Sequence, residues 1–144
     1  MITVSQCLQT KGHTVWSVES DRSVYEALQI MAEKDIGALL VVDEGKLVGI
    51  FSERDYARKV ILHGKSSKET LVGEIMTPRV FYIHPEQSLE DCMALMTEKH
   101  VRHLPVLDGE RLVGVISIGD VVKAIISEQK FVIEQLENYI TGER

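Results

Sequence analysis

Leu104-Pro105-Val106-Leu107-Asp108-Gly109-Glu110-Arg111-Leu112-Val113-Gly114-Val115-Ile116-Ser117-Ile118-Gly119-Asp120 reads as two short apolar strands, a tight turn between them, and a helix start at Ser117. The strands are rich in Val, Ile and Leu, and the turn carries a glycine where positive φ costs least. The same design stands earlier in the chain. Ala38 to Val42 and Leu47 to Phe51 are strands, Asp43-Glu44-Gly45-Lys46 is the turn, and Ser52 opens a helix.

The two copies are related by an offset of 65 residues. From 23 to 61 the offset gives 13 identities in 39 positions without a gap, among them Ser23/Ser88, Leu47-Val48-Gly49/Leu112-Val113-Gly114, Ser52/Ser117 and Asp55/Asp120. The chain is therefore an internal duplication, and two similar halves predict packing about a pseudo-two-fold axis.

Each copy extends upstream in the same way. Thr14 to Val18 and Arg79 to Ile83 partly alternate polar and apolar residues, as half-buried strands do. Ser23-Val24-Tyr25-Glu26 predicts a capping box. Val24, Ala27, Leu28 and Met31 then form one apolar stripe, matched by Leu89, Cys92, Met93 and Met96 after Ser88. The unit is strand, helix, strand, strand, helix, an α+β design repeated in tandem.

The first unit's last helix is expected to stop near His63-Gly64, with a linker over Gly64 to Lys68. Short helices are predicted at Val4–Leu8 and at Val72–Met76 before Thr77-Pro78. The division falls at 1–65 and 66–144. The last helix should run from Asp120 to about Tyr139, with Val121, Ile125, Val132, Leu136 and Tyr139 near one face, until Gly142 ends it. An amphipathic helix that overhangs its own domain needs a surface to cover it, which predicts self-association.

Composition narrows the function. The 144 residues can bury roughly 70% of their unfolded surface, so no disulfide or metal is needed for folding. Sixteen basic against 22 acidic residues give a net charge of −6, unlike a nucleic-acid binder. No apolar run approaches the ~20 residues of a membrane span, and the start lacks a signal-peptide layout. Cys7 and Cys92 are too few for a disulfide framework and are expected as small buried hydrophobes. These readings predict a soluble, cytoplasmic chain with no nucleic-acid or membrane partner.

The polar feature shared by both copies is Ser-x-x-Asp after a buried strand: Ser52 with Asp55, Ser117 with Asp120. It is a capping box by spacing. The same geometry places a carboxylate where it can accept both hydroxyls of a ribose, as an acidic residue does in dinucleotide folds. The adjoining helix N-terminus offers amides to phosphate.

The duplication, the element order and the Leu104–Asp120 motif resemble a pair of CBS domains, the tandem Bateman module, over nearly the whole chain. The resemblance implies a non-catalytic regulatory module binding AMP, ADP, ATP or NAD in clefts between the repeats, sensing energy or redox state. It requires no other cofactor, implies a homodimer, and acts on an unidentified regulated protein. Carried onto this sequence, one cleft takes Ser52 and Asp55 with Arg79, Val80, Arg102, His103 and Leu104. The other takes Ser117 and Asp120 with Thr14, Val15, Gly37, Ala38 and Leu39. Arg102-His103 matches a basic pair that faces phosphate in the family, whereas Gly37-Ala38 does not. The clefts are therefore expected to be unequal, with the Asp55 side favouring phosphate.

Arg54 and Arg58, i and i+4 on the helix opened by Ser52, are candidate phosphate contacts; the alternative for them and Lys59 is a solvated basic face, paired with Glu53 or a partner subunit. His100-Val101-Arg102-His103 with Cys92 falls short of a zinc site, which needs three or four converging ligands. Ser52 and Ser117 have an adjacent Asp but no evident histidine base, so catalysis is not expected. The alternative function is a dimerising scaffold whose clefts hold no ligand.

Overall fold

The computed structural model describes residues 1–142. The chain is α+β and packs as two compact units. One is Thr14–Tyr82; the other joins Met1–His13 to the chain from Ile83 onward. The packing thus groups the segments ahead of each repeat differently from the halves 1–65 and 66–144. The helix preceding the first repeat packs with the second, and the segment preceding the second packs with the first. The final two residues of the expected second half lie outside the described residues.

In the unit Thr14–Tyr82, β1 (Ser17–Val18) lies parallel to β2 (Ala38–Asp43), which pairs antiparallel with β3 (Lys46–Ser52). Between them runs α2 (Val24–Lys34). The hydroxyl of Ser23 accepts from the Glu26 amide at 3.1 Å. The Glu26 carboxylate does not reach back as a capping box requires; it faces Arg22 at 3.7 Å. After β3 come α3 (Glu53–Asp55), a π-helical segment Tyr56–Ile61, and later α4 (Val72–Ile75). The expected single helix from Ser52 to His63 is therefore a short α turn followed by a wider one. The core joins Val24, Ala27, Met31, Leu39, Phe51 and Val60 to Val72 and Ile75.

In the other unit, α1 (Val4–Lys11) is capped by Thr3 and packs with α5 (Leu89–Lys99), β4 (His103–Asp108), β5 (Arg111–Ser117) and α6 (Ile118–Thr141). Ser88 and Asp91 form the complete capping box that Ser23 and Glu26 do not. Burial raises the thiol of Cys7, and that of Cys92 to about 12, so both are neutral packing groups of this core. Met93, predicted on the buried stripe, is 43% exposed. α6 reaches Thr141 and ends at Gly142 with φ 78°, as the sequence pattern predicts.

The two lead-in strands come out unequal. Trp16 accepts a hydrogen bond from the Leu40 amide, which starts the β1–β2 ladder. At the matching place in the second repeat stands Pro105, which has no N–H to offer Phe81. Pairing there shrinks to one bridge, Ile83 with Val106. The expected strand Arg79–Ile83 therefore does not form, and β1 shortens to two residues.

Both hairpins are closed by a side chain seated on a glycine. A Cβ on Gly114 would lie 2.7 Å from a methyl of Leu8, itself 1% exposed. A Cβ on Gly49 would lie 2.6 Å from the Met76 sulfur and 3.0 Å from the Thr77 carbonyl. Gly114→Ala is expected to cost about 1–3 kcal/mol through overpacking. In a Leu8→Ala background the same change should be nearly neutral. Urea unfolding of the four-member cycle checks this; additive losses would mean that the Leu8–Gly114 contact is not the cause.

Candidate functional site

The residues of interest sit where β3 and β5 end and a helix begins. β2 is paired so that Ala38 faces Ser52 and Leu39 faces Phe51. The Gly37 carbonyl accepts from the Glu53 amide at 3.1 Å. In the other unit His103 faces Ser117 and Leu104 faces Ile116, and the Arg102 carbonyl accepts from the Ile118 amide at 2.9 Å. Each Ser-x-x-Asp therefore lies against the second strand of its own repeat, with Gly37-Ala38-Leu39 beside Ser52 and Arg102-His103-Leu104 beside Ser117.

Asp55 is 7% exposed. Its Oδ2 accepts from the Ser52 amide at 3.0 Å and the Ser52 hydroxyl at 3.1 Å, while the Asp55 amide donates to that hydroxyl. Its Oδ1 accepts from the Thr77 hydroxyl at 3.2 Å and lies 3.1 Å from the Lys59 ammonium. Lys59 also donates to the Ile75 carbonyl. Thr77 is fixed by two backbone hydrogen bonds with Ile50. Lys59 thus holds Asp55 and the end of α4 together; Asp55, rather than Glu53, is its acidic partner.

Asp120 shares the capping box and differs in its cation. Its Oδ2 accepts from the Ser117 amide at 2.8 Å and from the Lys11 ammonium at 2.5 Å. Lys11 also donates to the Val115 carbonyl. Lys11 closes α1, just ahead of Gly12 at φ 107°. By the repeat offset, Lys11 corresponds to Met76 and Lys59 to Ala124. Each acid therefore meets one ammonium, delivered from a different place.

Lys11 and Thr77 were absent from the sequence-predicted residues. Both lie in lead-in segments outside the matching stretch 23–61, and both reach the acid of the unit they pack in. Among the other candidates, Thr14 is exposed and Val15 half-buried ahead of β1. Arg79 is exposed and Val80 half-buried after Thr77-Pro78. Arg102, Arg54 and Arg58 are exposed, as a phosphate contact or a solvated face would be. A cavity of about 500 Å³ opens beside the Ser52 turn, lined by Leu28, Met31, Ile36, Gly37, Glu53 and Tyr56 among others. Among the described residues, no three His, Cys, Asp or Glu side chains gather as metal ligands would. No described helix is long and apolar enough to cross a membrane.

Burial alone would raise the Asp120 carboxyl, but Lys11 and Ser117 outweigh it and hold it below the ordinary carboxylate value. A lowered native value means stability that is present above the ordinary value of ~3.9 and lost as pH falls through the native one. Lys11→Met is expected to cost about 1 kcal/mol at pH 7, the scale of a partly exposed ion pair. The deficit should shrink toward pH 3 in urea unfolding. A deficit that ignores pH would assign Lys11's role to the Val115 carbonyl and packing.

With this geometry in view, the comparisons with known proteins are consistent. The CBS domain family matches residues 12–62 and 72–127. A mitochondrial CBS domain-containing protein of Arabidopsis thaliana, CBSX3, is 39% identical over 97% of this chain and 72% of its own length. The structure of a CBS-domain protein from Burkholderia ambifaria has 56% identity and a TM-score of 0.85, covering 88% of this chain and 96% of that one. The CBS domain pair of protein MJ0100, in complex with 5′-methylthioadenosine and S-adenosyl-L-methionine, has 28% identity and a TM-score of 0.79, covering 89% of this chain and 98% of that one. This chain, a duplicated strand-helix-strand-strand-helix unit with a Ser-x-x-Asp turn in each copy, belongs to the CBS domain family as a tandem pair.

Proposed function

We propose that the chain is a non-catalytic regulatory module that binds adenosine-containing ligands, AMP, ADP, ATP or NAD, and reports energy or redox state to a partner protein in the cytoplasm. The observation that carries this reading is the repeated carboxylate at a strand-to-helix junction, Asp55 and Asp120. A carboxylate there can accept two ribose hydroxyls while the helix N-terminus faces phosphate. The MJ0100 pair with its adenosine-type ligands supports the ligand class. Arg102, Arg54 and Arg58 are the proposed phosphate contacts, and their exposure leaves the guanidinium groups available.

In this reading the serines keep their caps and the ligand competes for the carboxylate. At Asp120 the competitor is Lys11, and every described contact falls on Oδ2. At Asp55 the competitors are Thr77 and Lys59 on Oδ1. A ligand phosphate offers a displaced ammonium a new partner, so the exchange moves the ion pair from the acid to the phosphate instead of losing it.

One observation favours a second reading, a scaffold whose sites hold no ligand. Both oxygens of Asp55 are engaged and the residue is buried, which is what a purely structural cap would show.

Thermal-shift measurements with AMP, ADP, ATP, NAD and S-adenosylmethionine separate the two. A ligand at 100 times its dissociation constant adds ~2.7 kcal/mol, or about 5–15 °C at this size. No stabiliser in the panel would leave the scaffold. With a stabiliser in hand, calorimetry on Asp55→Ala and Asp120→Ala is expected to show the larger affinity loss for a phosphorylated ligand at Asp55. Equal losses would overturn the inequality of the two sites.

A further inference from the structure

Thr77 and Gly12 stand at equivalent places in the two repeats, 65 residues apart, and only Thr77 brings a hydroxyl. Thr77 serves the Asp55 turn twice. Its backbone closes on the edge of β3: the Ile50 amide donates to the Thr77 carbonyl at 3.0 Å, and the Thr77 amide donates to the Ile50 carbonyl at 2.9 Å. Its hydroxyl donates to Asp55 Oδ1 at 3.2 Å. Gly12 serves the Asp120 turn in neither way. Its amide turns back to the Leu8 carbonyl to close α1, at φ 107°. The carbonyl of Val115, the residue equivalent to Ile50, accepts from the Lys11 ammonium instead.

Two groups are left over at the Asp120 turn. In an antiparallel pair, facing residues either exchange both backbone hydrogen bonds or neither. Pro105 faces Val115, gives its carbonyl to the Ile83 amide and has no N–H, so the Val115 amide points to the open edge of β5. Among the described residues that amide meets no acceptor, and no described hydrogen bond falls on Asp120 Oδ1. The Asp120 side chain is 23% exposed, against 10% for Asp55, and a Cβ on Gly12 would meet nothing within 4 Å. The Lys11 ammonium touches both the Val115 carbonyl and Asp120 Oδ2, so strand edge and carboxylate border one space. The two groups ask for what Thr77 supplies at Asp55: an acceptor for an amide and, a few atoms away, a hydroxyl for a carboxylate oxygen. The vicinal hydroxyls of a ribose supply both, one accepting from the amide and the other donating to Oδ1.

We propose that Gly12 and Thr77 decide how each turn reads ribose: at Asp120 the Val115 amide and Oδ1 take the ligand's vicinal hydroxyls, and at Asp55 the chain's own Thr77 holds that place. The inference rests on the adenosine-ligand reading and adds which turn tells ribose from deoxyribose. At Asp120 a ligand hydroxyl adds a hydrogen bond to an ionised acceptor. At Asp55 it only takes over the bond that Thr77 makes. A missing hydroxyl therefore leaves the protein's own polar group unpaired at Asp120, and leaves Thr77 in position at Asp55.

Chains with one acid altered read the two turns separately. Asp55→Asn leaves the Asp120 turn as it is, and Asp120→Asn leaves the Asp55 turn. Calorimetry on each compares AMP and ATP with their 2′-deoxy and 3′-deoxy forms. The ribose form is expected to bind roughly tenfold or more tightly than either deoxy form at Asp120, and within about threefold of them at Asp55. Thr77→Val keeps the backbone bridge and removes the hydroxyl. Added to Asp120→Asn, it should bring the tenfold preference to the Asp55 turn, with the thermal melt showing a folded chain. In the ligand-free protein the Val115 amide should exchange with deuterium faster than the Ile50 amide, and AMP should slow it. Equal preferences at the two turns, an unchanged preference after Thr77→Val, or a Val115 amide already as protected as that of Ile50 would each overturn the inference. No binding of either nucleotide by the unaltered chain would end the adenosine reading and this inference together, a result distinct from any of those.

Discussion

A sheet of two or three short strands cannot bury itself, and everything else in this chain follows from how that deficit is met. Each hairpin presents a glycine, Gly49 or Gly114, and a lead-in segment lays a side chain against it. Leu8 of α1 reaches Gly114, and Met76 after α4 reaches Gly49. The same approach satisfies backbone groups that helix starts leave unpaired. The Val24 amide at the head of α2 donates to the Thr70 carbonyl, and the Leu89 amide at the head of α5 donates to the Ile2 carbonyl. Packing and hydrogen bonding thus agree on the exchange of lead-in segments between repeats.

That exchange also sets the electrostatics of the two acids. Because α1 lies along β5, its last residue, Lys11, arrives at Asp120. Because the chain after α4 pairs with β3 at Ile50, Thr77 arrives at Asp55. The Ser-x-x-Asp turn is identical in both copies, so local sequence makes two equal caps. The neighbours make them unequal. Asp55 has a hydroxyl and an ammonium on one oxygen and its cap on the other. Asp120 gathers cap and ammonium on one oxygen. Under the proposed function a ligand hydroxyl would take the place of the Thr77 hydroxyl or of an ammonium while the serine keeps its cap, exchanging one hydrogen bond of about 1 kcal/mol for another of similar size.

Much of this was legible in the sequence because it is local or periodic. The duplication, the two hairpins, the helix that stops at Gly142 and the paired Ser-x-x-Asp turns all depend on residues a few positions apart. Several misreadings depend on residues far apart, and others on local competition or the edge of a stripe. Pro105 silences a strand more than twenty residues upstream by withholding one N–H. Glu26 leaves its cap because Arg22 competes for it. Met93 sits on the correct stripe but over its exposed edge. Lys11 and Asp120 are separated by most of the chain, and no pattern within the repeat connects them, since Lys11 falls on Met76 across the offset.

The two copies also end differently, and the reason is again what comes next. After Asp55 the helix widens into a π-helical segment and stops, with Gly64 at φ 66° turning the chain. The chain must return, because Ser67 and Thr70 supply carbonyls to the first turn of α2. A straight helix continuing past Ile61 would carry those carbonyls away from the amides that need them. After Asp120 no such return is demanded, since the first turn of α5 is already served by Ile2. The second copy's helix is therefore free to lengthen, and its added turns carry an apolar seam that its own unit does not cover. Duplication supplied two equivalent ends, and the fold's need for one returning linker freed the other to become a surface.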